Sequence, residues 1–152
     1  MRRTSKQDVG AMLVAHLLST NLPCDALVEA CRWGCLREVR SLVEEKGVSP
    51  NCQRDSDGCR PLMTAVLSNA ATVKYLLNHG ADPNLCSSDG ATALVWLVRG
   101  MPSQTWMPIA RLIVERGGKP SVYDNGRAIA EIAAEKGAAN LAAYLRDAAG
   151  GV

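Results

Sequence analysis

The chain has no phenylalanine, and only 4% of its 152 residues are aromatic. A single large core draws on several big aromatics. This chain instead has three Trp and three Tyr among many Ala and Leu, which points to a thin core built where helices approach closely. Histidine is scarce too, at His16 and His79, and no Cys-x-x-Cys pair occurs, so a zinc site lacks ligands at the usual spacing. No apolar run approaches the roughly 18 residues of a membrane helix. Charge of one sign is also missing. Seventeen basic against fifteen acidic residues leave +2, and the basic ones are dispersed, which argues against nucleic acid or an acidic membrane as partner. Phosphate-cradling glycine loops are absent, and no cysteine stands locally beside a histidine that could activate it. These absences predict a non-enzyme with no cofactor and no metal.

What is present bounds the rest. The length suits one compact domain, and 47% hydrophobic with 21% charged residues is an ordinary globular balance. Six cysteines stand at 24, 31, 35, 52, 59 and 86. Disulfide and metal readings exist, but the spacing favours free thiols, buried or half-buried, in a reducing compartment. Arg2, Arg3 and Lys6 ahead of an apolar stretch from Val9 to Leu18 outline a signal peptide. Asp8 and His16 interrupt that stretch, and Ser19-Thr20-Asn21 is a poor cleavage site. A helix over roughly 8–19 that caps the domain is the preferred reading, with a partner-binding amphipathic helix as its alternative.

Self-similarity organises the chain. Glu45-Lys46-Gly47-Val48-Ser49-Pro50-Asn51, Asn78-His79-Gly80-Ala81-Asp82-Pro83-Asn84 and Glu115-Arg116-Gly117-Gly118-Lys119-Pro120-Ser121 end alike, each after an apolar pair. Pro50 to Pro83 is 33 residues and Pro83 to Pro120 is 37; Gly58, Gly90 and Gly126 follow at steps of 32 and 36. In each unit a helix ends at a glycine, a polar hairpin follows, and a short apolar helix begins, as at Pro61 to Leu67. No unit can bury its apolar face alone, so neighbours must stack.

Gly58-Cys59-Arg60-Pro61-Leu62-Met63-Thr64-Ala65 resembles the ankyrin G-x-T-P-L-H-x-A signature, and Val73 to Asn84 is similar to the ankyrin second helix with its loop. Gly90-Ala91-Thr92-Ala93-Leu94 repeats the signature, Gly126 to Ala130 repeats it weakly, and a partial copy runs from Leu27 to Asn51. The resemblance implies an all-α ankyrin solenoid: an N-terminal extension with its capping helix over 1–23, four repeats at about 24–54, 55–86, 87–122 and 123–147, and a flexible tail over 148–152. It also implies a protein-interaction module, an adaptor or a subunit of a larger assembly, monomeric by itself, inside the cell in cytoplasm or nucleus.

Contact positions follow from the same resemblance, because hairpin tips and the outer positions of each first helix form the concave ankyrin surface. They fall on Arg32, Trp33, Ser56, Asp57, Cys59, Leu67, Ser88, Asp89, Arg99, Asp124, Asn125, Arg127, Glu135 and Lys136. Trp33 is expected to face solvent. The second repeat is one residue short, whereas the third carries extra residues from Arg99 to Pro108. There Trp106 and Met107 have two readings: Trp106 folds back over the helix pair, or the two form an exposed partner anchor. Asn84 is similar to ankyrin asparagines that oxygenases hydroxylate. The chain also resembles the small four-repeat ankyrin inhibitors of cyclin-dependent kinases, through its length, its short second repeat and its ending Tyr144 to Gly151. Those proteins carry an acid on the first helix of the third repeat, whereas the corresponding stretch here reads Val95-Trp96-Leu97-Val98.

Overall fold

The computed structural model describes residues 4–100 and 106–150. Helix α1 (Lys6–Ser19) is started by a reciprocal cap: the Ser5 hydroxyl accepts from the Asp8 amide, and the Asp8 carboxylate accepts from the Ser5 amide at 2.8 Å. It lies on α2 (Pro23–Trp33), with Val14 buried and Leu17 and Leu18 packed against the core. The helices meet at Gly10, where a Cβ would sit 2.6 Å from the Cβ of Trp33. This close approach explains the glycine in mid-helix, which otherwise costs about 1 kcal/mol against alanine.

Helix α2 ends at Gly34, whose left-handed φ of 67° closes the helix and allows the chain to reverse. Helix α3 follows (Leu36–Arg40), continuing as a π-helical turn over Ser41–Glu45. Next come α4 (Pro61–Ala65) with α5 (Ala70–Asn78), and α6 (Ala93–Gly100) with α7 (Trp106–Glu115). The strands β1 (Tyr123–Asp124) and β2 (Arg127–Ala128) pair antiparallel across Asn125-Gly126, and α8 (Ile129–Glu135) with α9 (Ala139–Gly150) completes the described chain. Asn125 and Gly126 both take positive φ, as a two-residue hairpin turn of this kind requires.

First helices stack in one row (α2 on α4 on α6 on α8), and second helices in another (α3 on α5 on α7 on α9). This is an all-α ankyrin solenoid. Its core is thin: Leu27, Leu42, Leu76, Leu94, Leu97, Ile113, Ile129 and Leu145 are fully buried, interleaved with buried Ala26, Ala30, Ala65, Ala110 and Ala133. The alanines let helix axes approach, and the leucines fill what remains. Thr64 ties the first row together, its buried hydroxyl donating to the Val28 carbonyl at 2.8 Å. Two asparagines tie the loops. Asn51 donates to the Gly80 carbonyl and accepts from the Asp82 amide, and Asn84 does the same with Gly117 and Lys119, all at 2.8–2.9 Å.

The short second repeat takes physical form as a five-residue α4, after which the chain turns at Val66 to Ser68 and Asn69 caps α5 by accepting from the Thr72 amide. Three expectations need correction. Of the two readings of Trp106, folding back onto the helices holds and the exposed anchor does not: it opens α7 and is 1% exposed, and Met107 packs half-buried on the same core. Residues 101–105 of the extra stretch lie outside the described residues. Helix α9 runs on to Gly150, through most of the tail expected to be flexible. The thiols are not all free. Cys24 and Cys52 are joined, with Cα atoms 5.9 Å apart, while Cys31, Cys35 and Cys59 are buried and Cys86 is exposed.

Since Trp106 fills core space, Trp106→Ala is expected to cost about 3–5 kcal/mol of stability. Equilibrium urea unfolding reads this directly, and a loss below about 1 kcal/mol would mean that the indole sits in solvent.

Candidate functional site

Each polar hairpin is anchored to the first helices by an arginine. Arg54, 12% exposed, donates to Glu29 of α2 at 2.8 Å and grips both oxygens of Asp57 at 2.6 and 3.0 Å. Arg32 joins the same Glu29 at 3.5 Å. One repeat unit on, Arg99 of α6 donates to Asp89 at 2.6 Å and holds Asp124 in a two-pronged pair at 2.5 and 2.9 Å. Planar guanidinium and carboxylate groups match in these pairs, which fixes the orientation of the hairpin as well as its position. At the last repeat Arg127 pairs with Glu135, and the Lys136 ammonium donates to the Val98 carbonyl at 2.8 Å.

The hairpins also stack on one another. A Cβ on Gly58, at φ 69°, would meet the Ser88 backbone nitrogen at 2.6 Å, so only glycine fits there.

The electrostatics follow from these partners. Asp89 is pushed down to about 2, first by the Ser87 hydroxyl that donates to it and then by Arg99. Arg54 lowers Asp57, and Arg99 lowers Asp124. Burial acts the other way on thiols: it raises Cys31 strongly and pushes Cys59 up to about 11. A thiol so protonated is a poor nucleophile.

The expected contact residues therefore divide. Arg32, Asp57, Asp89, Arg99, Asp124, Arg127, Glu135 and Lys136 hold partners within the chain. Ser56, Ser88 and Asn125 sit exposed at the hairpin tips. Cys59 is fully buried under the face, beside Val28 and Met63, and belongs to the core rather than to the surface. Trp33 is half-buried instead of facing solvent, because α1 lies across it. With Lys6, Arg32, Leu67, Ser68 and Asn69 it lines an open cleft of about 320 Å³.

Sequence reasoning missed three residues. Glu29 and Arg54 lie 25 positions apart, with no local pattern joining them. Trp96 was noted only for not being an acid. It is half-buried against Val28, Cys59 and Met63, and its indole N–H donates to the Ser87 hydroxyl at 3.4 Å. An aromatic in a run of aliphatics at the register of Thr64 was the available signal.

The face thus presents half-exposed apolar side chains, Leu67 and Trp96, beside one balanced ion-pair cluster, Arg32 and Arg54 with Glu29 and Asp57, and a second in which Arg99 holds two aspartates. Among the described residues no group of three or more His, Cys, Asp or Glu side chains could hold a metal ion. No described helix is long and apolar enough to cross a membrane.

A family model described as ankyrin repeats in three copies matches residues 7–87. Human cyclin-dependent kinase inhibitor 2A is 35% identical over 128 residues, spanning 84% of this chain and 79% of that protein. Bovine cyclin-dependent kinase 4 inhibitor B is 34% identical over 125 residues, or 82% of this chain and 92% of its own length. The human BCL-6 corepressor-like protein 1 is 40% identical over 70 residues, which are 45% of this chain but 4% of that protein.

The lowered carboxylates have a pH signature. Folding holds Asp57, Asp89 and Asp124 below the unfolded aspartate value near 3.9, so the unfolded chain takes up protons first as pH falls. Their stabilisation is complete above about pH 4–5 and is lost as pH falls below that range, for Asp89 through about 2. Melting temperature should fall across this window, and less steeply in Arg99→Met, in which Asp124 returns toward its ordinary value while Asp89, still held by Ser87, does so only in part. Equal slopes for the two proteins would locate the acid sensitivity elsewhere.

Proposed function

The chain belongs to the ankyrin-repeat family, and from that premise we propose that it binds another protein along the face formed by its first helices and hairpin tips. It acts in this reading as a non-catalytic adaptor or assembly subunit, inside the cell, with repeats at about 24–54, 55–86, 87–122 and 123–147. One observation carries the proposal. Leu67 and Trp96 stand half-exposed on a face whose charges are already paired, and the hairpins around them are held rigid by Arg54 and Arg99. Apolar side chains on a preorganised frame lose little entropy on binding, and tryptophan is over-represented among residues that dominate interfaces. Ser56, Ser88 and Asn125 supply hydrogen-bonding groups at the rim. The protonated buried thiols favour a non-catalytic role.

A second reading makes the partner a protein kinase. It is favoured by relatives named as cyclin-dependent kinase inhibitors that match this chain over 79–92% of their own length. Against it stands Trp96, in a stretch where the resemblance calls for an acid. A tryptophan cannot supply the charge that a basic kinase group would pair with, so any kinase complex must rest more on apolar burial.

Asn84 is proposed as a hydroxylation site. Both ends of its amide are hydrogen-bonded to the next loop, so an oxygenase must open that loop first. The intact mass of protein from its own cell should show one added oxygen on the Asn84 peptide, and an unmodified peptide counts against it.

The binding proposal is tested by affinity capture from the source cell with mass spectrometry. Leu67→Lys on the proposed face is compared with Lys74→Glu on the exposed side of α5. The partner should be lost in the first and kept in the second; the reverse pattern would move the interface to the second helices. Purified cyclin-dependent kinase 4 separates the two readings. A complex tighter than about 1 µM carries the kinase reading, and none at about 50 µM removes it.

A further inference from the structure

The joined cysteines occupy a telling place in the first repeat. Cys24 is the second residue of α2, and Cys52 follows Asn51 at the base of the first hairpin. Between Cys52 and the hairpin tip stands Arg54, which reaches back to Glu29 on α2 and forward to Asp57. The bond therefore ties the start of the first inner helix to the hairpin that this helix anchors.

We infer that Cys24 and Cys52 form a reversible redox clip that fastens the first hairpin to α2 when oxidised and releases it when reduced.

Selectivity among the six thiols supports this. Cys31 and Cys59 are fully buried, and burial keeps them protonated. Cys35 is buried and its thiol donates to the Gln7 carbonyl. Cys86 is exposed but belongs to the next loop and has no cysteine joined to it. Cys24 and Cys52 alone are both half-exposed and close enough to bond, with Cα atoms 5.9 Å apart, within the range a disulfide spans.

The consequence follows from position. In the described chain the first hairpin is held to α2 by the Arg54–Glu29 pair, whose opening frees the segment between Cys24 and Cys52. A bond across 28 residues removes much of the disorder gained by opening it.

The chemistry needs an oxidant, and a low-molecular-weight disulfide supplies it. One cysteine thiolate attacks a sulfur of the small disulfide, forms a mixed disulfide and expels a small thiolate. The second cysteine thiolate then attacks the protein-bound sulfur of that mixed disulfide, forming the Cys24–Cys52 bond and expelling the second small thiolate. Two protein thiols are oxidised by two electrons, the small disulfide is reduced to two thiols, and the two protons pass to them.

The full chain is treated with excess oxidised glutathione, then with dithiothreitol. Peptide mapping should place a bond between Cys24 and Cys52. Melting temperature should rise by about 5–10 °C on oxidation. Amide exchange should slow across residues 24–57 and recover on reduction. Cys24→Ser and Cys52→Ser should each abolish all three responses, whereas Cys86→Ser should respond as the wild type does. A bond mapped elsewhere overturns the inference. So does a Cys24–Cys52 bond that leaves melting and exchange unchanged. No partner enters this experiment, so its failure leaves the proposed interaction untouched.

Discussion

Everything in this chain depends on burial shared between neighbouring repeats. A five-residue helix such as α4 cannot stand by itself in water, since nucleating a helix costs more than one turn returns. It persists because Leu62, Met63 and Ala65 are buried between α2 and α6, and because Thr64 donates to the Val28 carbonyl. The same logic runs along the loops, where Asn51 and Asn84 each bind the loop of the next repeat. Stability is thus a sum over interfaces rather than a property of one centre. This also accounts for a core without phenylalanine, because layers separated by alanine have no room for many large rings. Trp106 stands at the one place where extra chain enters the stack, and its ring is buried there.

Rigid stacking decides which side chains are left for a partner. The hairpins would swing on their glycines if nothing held them. Arg54 and Arg99 hold them, at the expense of the charges on Asp57, Asp89 and Asp124. A face built this way offers little net field for steering a partner from a distance. In the proposed interaction, selectivity rests on shape and on apolar burial around Leu67 and Trp96.

Legibility in the sequence followed the range of the interactions. The repeat, its helices and its hairpins were visible because their signals are local: a glycine after an apolar pair, a proline opening a helix, a recurring glycine at Gly58, Gly90 and Gly126. The Ser5–Asp8 cap is just as local, yet the capping helix was expected from about residue 8 and in fact begins at Lys6. Contacts across 25 or more residues were not visible. The pairs Glu29 with Arg54 and Arg99 with Asp124 join elements that only the stacking brings together. Exposure failed for the same reason. Trp33 looked free until α1 was laid across it, and Cys59 sits in the signature next to a hairpin yet points into the core. Cys24 and Cys52 carry no spacing signal, because their approach is set by where the first hairpin returns to α2.

On the proposed face, the register position of Trp96 is where one fold changes its chemistry without changing its frame. In the second repeat that position holds Thr64, which is buried and spends its hydroxyl on a neighbouring carbonyl. In the third it holds an indole that remains half-exposed over Val28, Cys59 and Met63. The backbone accommodates both, since each side chain leaves its helix toward the preceding part of the first row. An acid there would ask for a basic group on the partner and lose affinity with salt, whereas a tryptophan asks for an apolar pocket and is little affected by it. The substitution leaves the stacking intact and alters the chemistry that the face selects. Relatives of the same architecture can therefore share the scaffold over most of their length while presenting different demands to what they bind.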